Sequence, residues 1–480
     1  MFLRLLYRGF YKIALYYILS KNTLSDWKNK NVALHAEIRK LKKDLSQIRI
    51  SRDNWKEKYY NKKTADKQLA SKPSRHHYPT SLIWLCMYLY THSQSSFRSC
   101  CTLLYATALL LNIKCRKPSA STLRNWVIKN GYHAYVQASS KEDNGNWCII
   151  IDESVSIGQE KLLLVLGLRL NNWQFNKAIS HQDVSVLYIG IASSWKSEAI
   201  EEVLIGVAKK VKVSYCVSDR GNNIRSAIKK IGMLHIFDCS HEFAGGLESI
   251  YGKDDQYMKL MKTMGMLKKK WVVSKYAHLM PPKQRTKARF QNSFPLIDWI
   301  EKLEKHWNIL DPHIQKELSF LKDNEALIAD LILLRNMIKE MSSILKKEGM
   351  NKDTLQQCRA ILEAGATTEN TRKYGLYIQK LWLHYDTLLK DNTFICCSDI
   401  IESYFGRYKQ KIKSNGMQAI TETVLEMCMW GQEITQASIK IAMETVKLKD
   451  VEVWKQENTT PSILQIRKKF FQQKGTKMAA

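Results

Sequence analysis

Short unbroken apolar runs, set between long stretches of helical period, organise this chain. Cys148-Ile149-Ile150-Ile151 and Val213-Ser214-Tyr215-Cys216-Val217 are the sharpest of them, and each leads directly to an aspartate, Asp152 and Asp219. Runs of this length read as strands covered on both faces. Lys161 to Leu170, Val184 to Ile191 and Met233 to Asp238 predict three more strands, while Lys196 to Lys210 and Asn222 to Ile231 carry helical spacing. Almost everything from Cys239 to Asp391 is helical in period, Ile328 to Leu345 being an example, and a last helix is predicted from Ser398 to Lys413 with Glu402 in it.

Three strands in a meander followed by helix, strand, helix, strand is the order of the ribonuclease H-like fold. The expected class is therefore an α/β ribonuclease H-like core with a mixed five-stranded sheet, interrupted by a large all-α insertion. Upstream, Leu34, Ile38, Leu41, Leu45, Ile48, Trp55 and Tyr59 recur at alternating steps of four and three, broken only by Arg52. This is a heptad pattern, which predicts either a coiled coil between two chains or a helix lying on its own protein. Lys62 to Arg75 is polar and reads as a linker.

Leu82 to Tyr90 and Phe97 to Leu111 predict two helices, and a third starts after Lys117-Pro118-Ser119. Its Pro-Ser opening is a helix cap, and its first turns would present Ser119, Ser121, Thr122, Arg124 and Asn125, a set suited to a helix-turn-helix-like recognition helix on DNA. The expected domains are residues 1–75 (N-terminal helix, coiled coil, linker), 76–140 (helical DNA-binding domain), 141–240 (core, first part), 241–392 (helical insertion), 393–445 (core, second part) and 446–480 (basic tail).

Charge changes the picture. The 480 residues hold 75 Lys and Arg against 45 Asp and Glu, a net +30, which calls for a polyanionic partner such as nucleic acid. Lys268, Lys269, Lys270, Lys275, Lys283, Arg285, Lys287 and Arg289 cluster beside Trp271, Tyr276 and Phe290, fitting a phosphate-tracking surface. The cysteines show no CxxC pair or regular spacing and several lie in apolar runs, which reads as reduced, structural thiols in a reducing cytosol. Met1 to Leu19 is interrupted by Arg4, Arg8 and Lys12, too short in its apolar run to span a bilayer, so no membrane role is expected.

Strand-end carboxylates are natural ligands for Mg²⁺ or Mn²⁺, because hard cations take oxygen donors and the rim of a sheet holds such donors still. Glu402 shares a helix face with Phe405, Gly406 and Lys409, so a metal ligand and a phosphate ligand could point the same way. Glu153 would face the opposite side of its strand from Asp152.

The motifs Ile149-Ile150-Ile151-Asp152-Glu153, Val217-Ser218-Asp219-Arg220-Gly221-Asn222-Asn223, Asp238-Cys239-Ser240-His241 and Ile400-Ile401-Glu402-Ser403-Tyr404-Phe405-Gly406-Arg407-Tyr408-Lys409 together resemble the DDE transposases of bacterial insertion sequences. The resemblance covers roughly residues 147–413. It implies that Asp152, Asp219 and Glu402 bind two divalent cations, Mg²⁺ or Mn²⁺, and that Asp238 and His241 support the site or the DNA ends. Its local context favours Glu402 over the nearby Asp399 as the third acid. It further implies double-stranded DNA as substrate (element ends and target), with Arg407 and Lys409 among the DNA contacts, a homodimer or higher oligomer on DNA, and a place in the bacterial cytoplasm with the nucleoid. Two alternatives remain at this stage: a ribonuclease H-like nuclease or resolvase without strand transfer, and an inactive, transposase-derived DNA-binding regulator.

Overall fold

The computed structural model describes residues 24–70, 72–93, 95–113, 115–140, 145–153, 160–284, 290, 293–390, 392–412, 419–461 and 463–477. They form two compact units: one comprises residues up to 72 together with Pro79–Ser81, the other Pro73–Tyr78 and everything from Leu82 onward.

The first unit is dominated by α1 (Leu24–Ala70), a single helix of 47 residues. The helix runs through most of the segment expected to be a linker. Residues 62–70 contain neither Gly nor Pro, and the first helix-breaking residue is Pro73, so nothing in that stretch stops the helix.

The second unit opens with α2 (Thr80–His92), α3 (Phe97–Leu110) and α4 (Ala120–Ser140). Next come β1 (Asn146–Glu153), β2 (Lys161–Arg169), β3 (Val184–Ala192), α5 (Ser197–Ala208), β4 (Lys212–Ser218), α6 (Asn222–Lys230) and β5 (His235–Phe237). The strand order is β3-β2-β1-β4-β5, with β1, β2 and β3 antiparallel and β4 and β5 parallel to β1. This is the mixed five-stranded sheet expected for the core. β5 is shorter than Met233 to Asp238, because Asp238 leaves the strand to cap the next helix.

A helical block follows: α7 (Cys239–Tyr251), α8 (Asp255–Trp271), α9 (Phe294–Lys305), α10 (Pro312–Glu317), α11 (Glu325–Glu348), α12 (Lys352–Ala364), α13 (Glu369–Trp382) and α14 (Tyr385–Leu389). The chain returns to the sheet with α15 (Asp399–Lys411), then a 3₁₀ segment (Glu422–Met429), α16 (Gln436–Thr445), α17 (Leu448–Asn458) and α18 (Ile463–Lys477).

The sheet is covered on both sides, which is why its strands read as continuous apolar runs. Trp147, Ile149, Ile151, Leu163, Val165 and Cys216 pack with Ile200, Leu204, Ile224 and Ile228 of α5 and α6. Cys148, Ile150, Leu164, Leu166, Tyr215 and Val217 pack into the larger core on the other face, with Phe243, Leu247, Ile401, Tyr404 and the interior of the helical block. Two-residue periodicity thus sends alternate residues of β1 and β4 to opposite layers. The C-terminal segment expected as a tail contributes Val451 and Trp454 to the larger core, and α17 packs on α4 and β3.

Candidate metal centre

β1 and β4 are parallel neighbours in which Ile150 lies opposite Val217. Two residues further along each chain stand Asp152 and Asp219, so the same phase that sends Ile150 and Val217 into the larger core brings both carboxylates out on that side of the rim. Glu153, in the opposite phase, pairs with Lys161 at 2.9 Å.

Local backbone donors hold the two aspartates. The Glu153 N–H donates to Asp152 Oδ1 at 2.7 Å, and the Gly221 N–H donates to Asp219 Oδ1 at 2.8 Å. A Cβ at position 221 would lie 2.9 Å from that same Oδ1, so glycine here leaves room for the carboxylate.

Glu402 sits in the first turn of α15, its side chain partly open to solvent. Its charge is felt at Asp152. Burial holds the Asp152 carboxyl well above the usual carboxylate range, and the negative charges of Asp219 and Glu402 push it further up against the single backbone N–H that favours ionisation. Glu402 is also raised, by burial first and by Asp399 and Asp238, with His241 opposing. His241 Nε2 lies 4.0 Å from Glu402 Oε1.

Asp238 is 1% exposed and fully engaged. Its Oδ1 accepts the His241 N–H at 2.8 Å as the cap of α7, and its Oδ2 accepts the Ser398 N–H at 2.6 Å and the Ser398 hydroxyl at 2.8 Å. One carboxylate therefore ties the end of β5, the start of α7 and the start of α15, one turn before Glu402. Asp238, Cys397 and Asp399 could also be read as a metal-ligating group. Asp238 is already committed to three donors, however, and Asp399 forms an ion pair with Lys346, so that group works as a clasp.

Behind the rim lies a network that the sequence did not single out. Arg220 stacks on the Phe237 ring at 4.1 Å and donates to Glu242 Oε1 at 2.6 Å, while Trp382 Nε1 donates to Glu242 Oε2 at 3.2 Å. Burial raises the Glu242 carboxyl to about 7, against the pull of Arg220. Ser398 and Gly221 were missed as well. The only sequence signal for them was their place, a serine at the start of the acidic helix and a glycine two residues after the second aspartate.

The other expected contact residues are scattered. Ser119 caps α4 by accepting the Thr122 N–H at 3.0 Å, and Ser121 is exposed beside it. Arg124 is held in an ion pair by Glu422, and Asn125 is half-buried. The opposite face of α4 packs inward: Leu123, Trp126, Val127 and Ile128 are buried, and a Cβ at Gly131 would meet Leu425 O at 2.3 Å. Lys268 and Lys269 lie in the last turn of α8, Lys269 exposed, and Lys270 pairs with Glu317 at 2.8 Å. Arg285 and Arg289 lie outside the described residues. Arg407 donates to Thr91 O and stacks on Trp430 at 4.5 Å, lining a 620 Å³ cleft with Trp84, Tyr88, His92 and Lys411. Lys409 is exposed, 5.8 Å above the Phe405 ring.

The donor set fits hard divalent cations: carboxylate oxygens on rigid strand ends and a first helical turn, drawn into like-charge proximity that a cation would relieve. All eleven cysteines are free thiols and only Cys115 is not buried. No helix among the described residues is long and apolar enough to cross a membrane.

No protein-family model and no curated protein sequence matches the chain. Among solved structures it is similar to a chain of the Drosophila P element transposase strand transfer complex, with 12% identity, a TM-score of 0.38, and coverage of 78% of this chain and 93% of that chain.

Proposed function

We propose that this chain is a DDE-type DNA transposase, which binds the ends of a mobile DNA element and catalyses cation-dependent cleavage and strand transfer. The observation that supports the reading is the placement of Asp152 and Asp219 at the ends of adjacent parallel strands, with the charge of Glu402 felt at Asp152. Two Mg²⁺ or Mn²⁺ ions held by these three carboxylates would supply the Lewis acidity that activates an attacking water or 3′-hydroxyl and stabilises the leaving oxygen of a phosphodiester.

The protein's own work is placement. The Gly221 N–H fixes Asp219, the Glu153 N–H fixes Asp152, and Asp238 anchors the start of α15, one turn before Glu402, through Ser398. His241 stands against the Glu402 carboxyl and offsets part of its charge. The +30 charge, with Lys269 and Lys409 toward solvent and Lys268 half-buried beside Lys269, suits tracking of DNA phosphates. No group in this arrangement needs to bond covalently to DNA.

The test is a Mg²⁺- or Mn²⁺-dependent cleavage and strand-transfer assay on the DNA flanking the gene, comparing the native chain with Asp219→Ala. Joined products that vanish in the variant support the transposase. Nicks without joining would replace it with a nuclease, and binding without products from either protein would replace it with a DNA-binding regulator.

A further inference from the structure

The basic segment that reads as a phosphate-tracking surface turns its large aromatic residues inward: Trp271 and Phe290 are buried, and Tyr276 is half-buried against His313. They offer no platform for stacked bases. Aliphatic side chains stand outside in their place. Val272 is 51% and Val273 88% exposed, at the tip of the turn that ends α8. An adjacent apolar pair held in this way gains nothing from solvent.

The turn is built to hold them still. The Trp271 indole N–H donates to Glu317 Oε2 at 2.8 Å, and Lys270 Nζ pairs with Glu317 Oε1 at 2.8 Å. Trp271 O accepts from both the Ser274 N–H and the Ser274 hydroxyl, each at 3.0 Å, and Ser274 Oγ accepts the Tyr276 N–H at 3.1 Å. One buried indole and one serine thus close the chain on both sides of the valines, whose own side chains are stiff at χ1. Such a tip can press into a partner without losing freedom on contact.

The surroundings name the partner. Met258, Lys262, Met266 and Lys269 are exposed at steps of four, four and three along one face of α8, and Val273 continues that face four residues on. Lys259 is exposed on the same side, and Lys275 is exposed just beyond the tip. Between Asp255 and Asp298 the sequence holds ten Lys and Arg and no acid. A cationic face leading to a rigid apolar tip suits duplex DNA: ammonium groups neutralise phosphates, while aliphatic side chains enter a base step, unstack it and kink the helix axis.

We propose that the Trp271-anchored turn is a wedge for duplex DNA, in which Lys259, Lys262, Lys269 and Lys275 grip the phosphates while Val272 and Val273 open one base step and bend the duplex. The inference rests on the reading of this chain as a DNA transposase and adds to it the shape of the bound DNA. It is tested without cations, so bending and cleavage stand or fall separately.

The experiment uses the full chain in chelator with a linear duplex from the DNA flanking the gene, dye-labelled at both ends. Energy transfer between the dyes should rise when the native protein binds. Val272→Ser with Val273→Ser should still bind in a gel shift yet leave energy transfer at the value of free DNA. Lys262→Gln with Lys269→Gln should weaken binding by about tenfold and lower the slope of log affinity against log salt by about 2. A mismatch at the centre of the duplex, which softens that step, should tighten native binding several-fold and leave the serine variant unmoved. A straight duplex on the native protein, or equal bending by the serine variant, would overturn the proposal. Failure to bind the duplex would overturn it too, and capture by anionic phosphatidylserine vesicles in its place would make this face a lipid surface. Bending without cation-dependent cleavage would keep the wedge and strike the transposase.

Discussion

Two regions of this protein carry regularly placed apolar residues and treat them in opposite ways. In β1, Ile149, Ile150 and Ile151 are wholly buried, closed in by layers of the same chain, whereas in α1 the seam residues face solvent. The difference lies in what the chain supplies to cover each element. A central strand with helices on both faces completes its burial internally and can carry a rigid carboxylate at its end; a lone amphipathic helix must find its cover elsewhere.

Substitutions can break that contrast, and the largest effect is expected at the rim. Asp152→Asn should abolish DNA cleavage while leaving DNA binding intact in a gel-shift assay. In the layer beneath, Ile150→Ala should cost about 2–5 kcal/mol in chemical denaturation, as a cavity in a close-packed core does. Asp238→Asn weakens the clamp on Ser398 without touching the three proposed cation ligands, and a loss of roughly 10–100-fold in cation affinity or cleavage rate is expected. The smallest effect belongs to the exposed helix: Ile48→Ala should shift the unfolding of the strand-bearing unit by less than about 0.5 kcal/mol.

Acidity sharpens the same comparison. Asp152 and Glu402 are both raised above their ordinary values by burial and by their carboxylate neighbours. Protonation is thus favoured in the folded state, so this rim contributes stability to the cation-free protein at low pH and loses it as pH rises through the raised values. Cation binding needs the ionised forms. Mn²⁺ should therefore raise the melting temperature more at pH 8 than at pH 5, and thermal melts with and without the ion check this.

Much of the core was legible because it is local. Strand runs such as Ile149-Ile150-Ile151 and the helix around Glu402 announce themselves by period, and the order of elements led to the sheet that is observed. What was not legible depends on partners far away in the chain. Nothing near Arg124 marks Glu422, almost three hundred residues downstream, as its ion-pair partner. Ser398 looks like an ordinary helix-start serine until Asp238, 160 residues earlier, is seen to accept from it. The supposed linker after Tyr59 shows another limit, since polar sequence without Gly or Pro is equally at home in a solvated helix.

The most direct test of the acidic centre is a calorimetric titration of Mn²⁺ into the native protein and into Asp152→Asn at pH 8, without DNA. Saturable binding in the native chain that is lost or greatly weakened in the variant is the predicted result. Equal binding by both proteins, or none by the native one, would contradict the assignment of Asp152, Asp219 and Glu402 as a cation-binding centre.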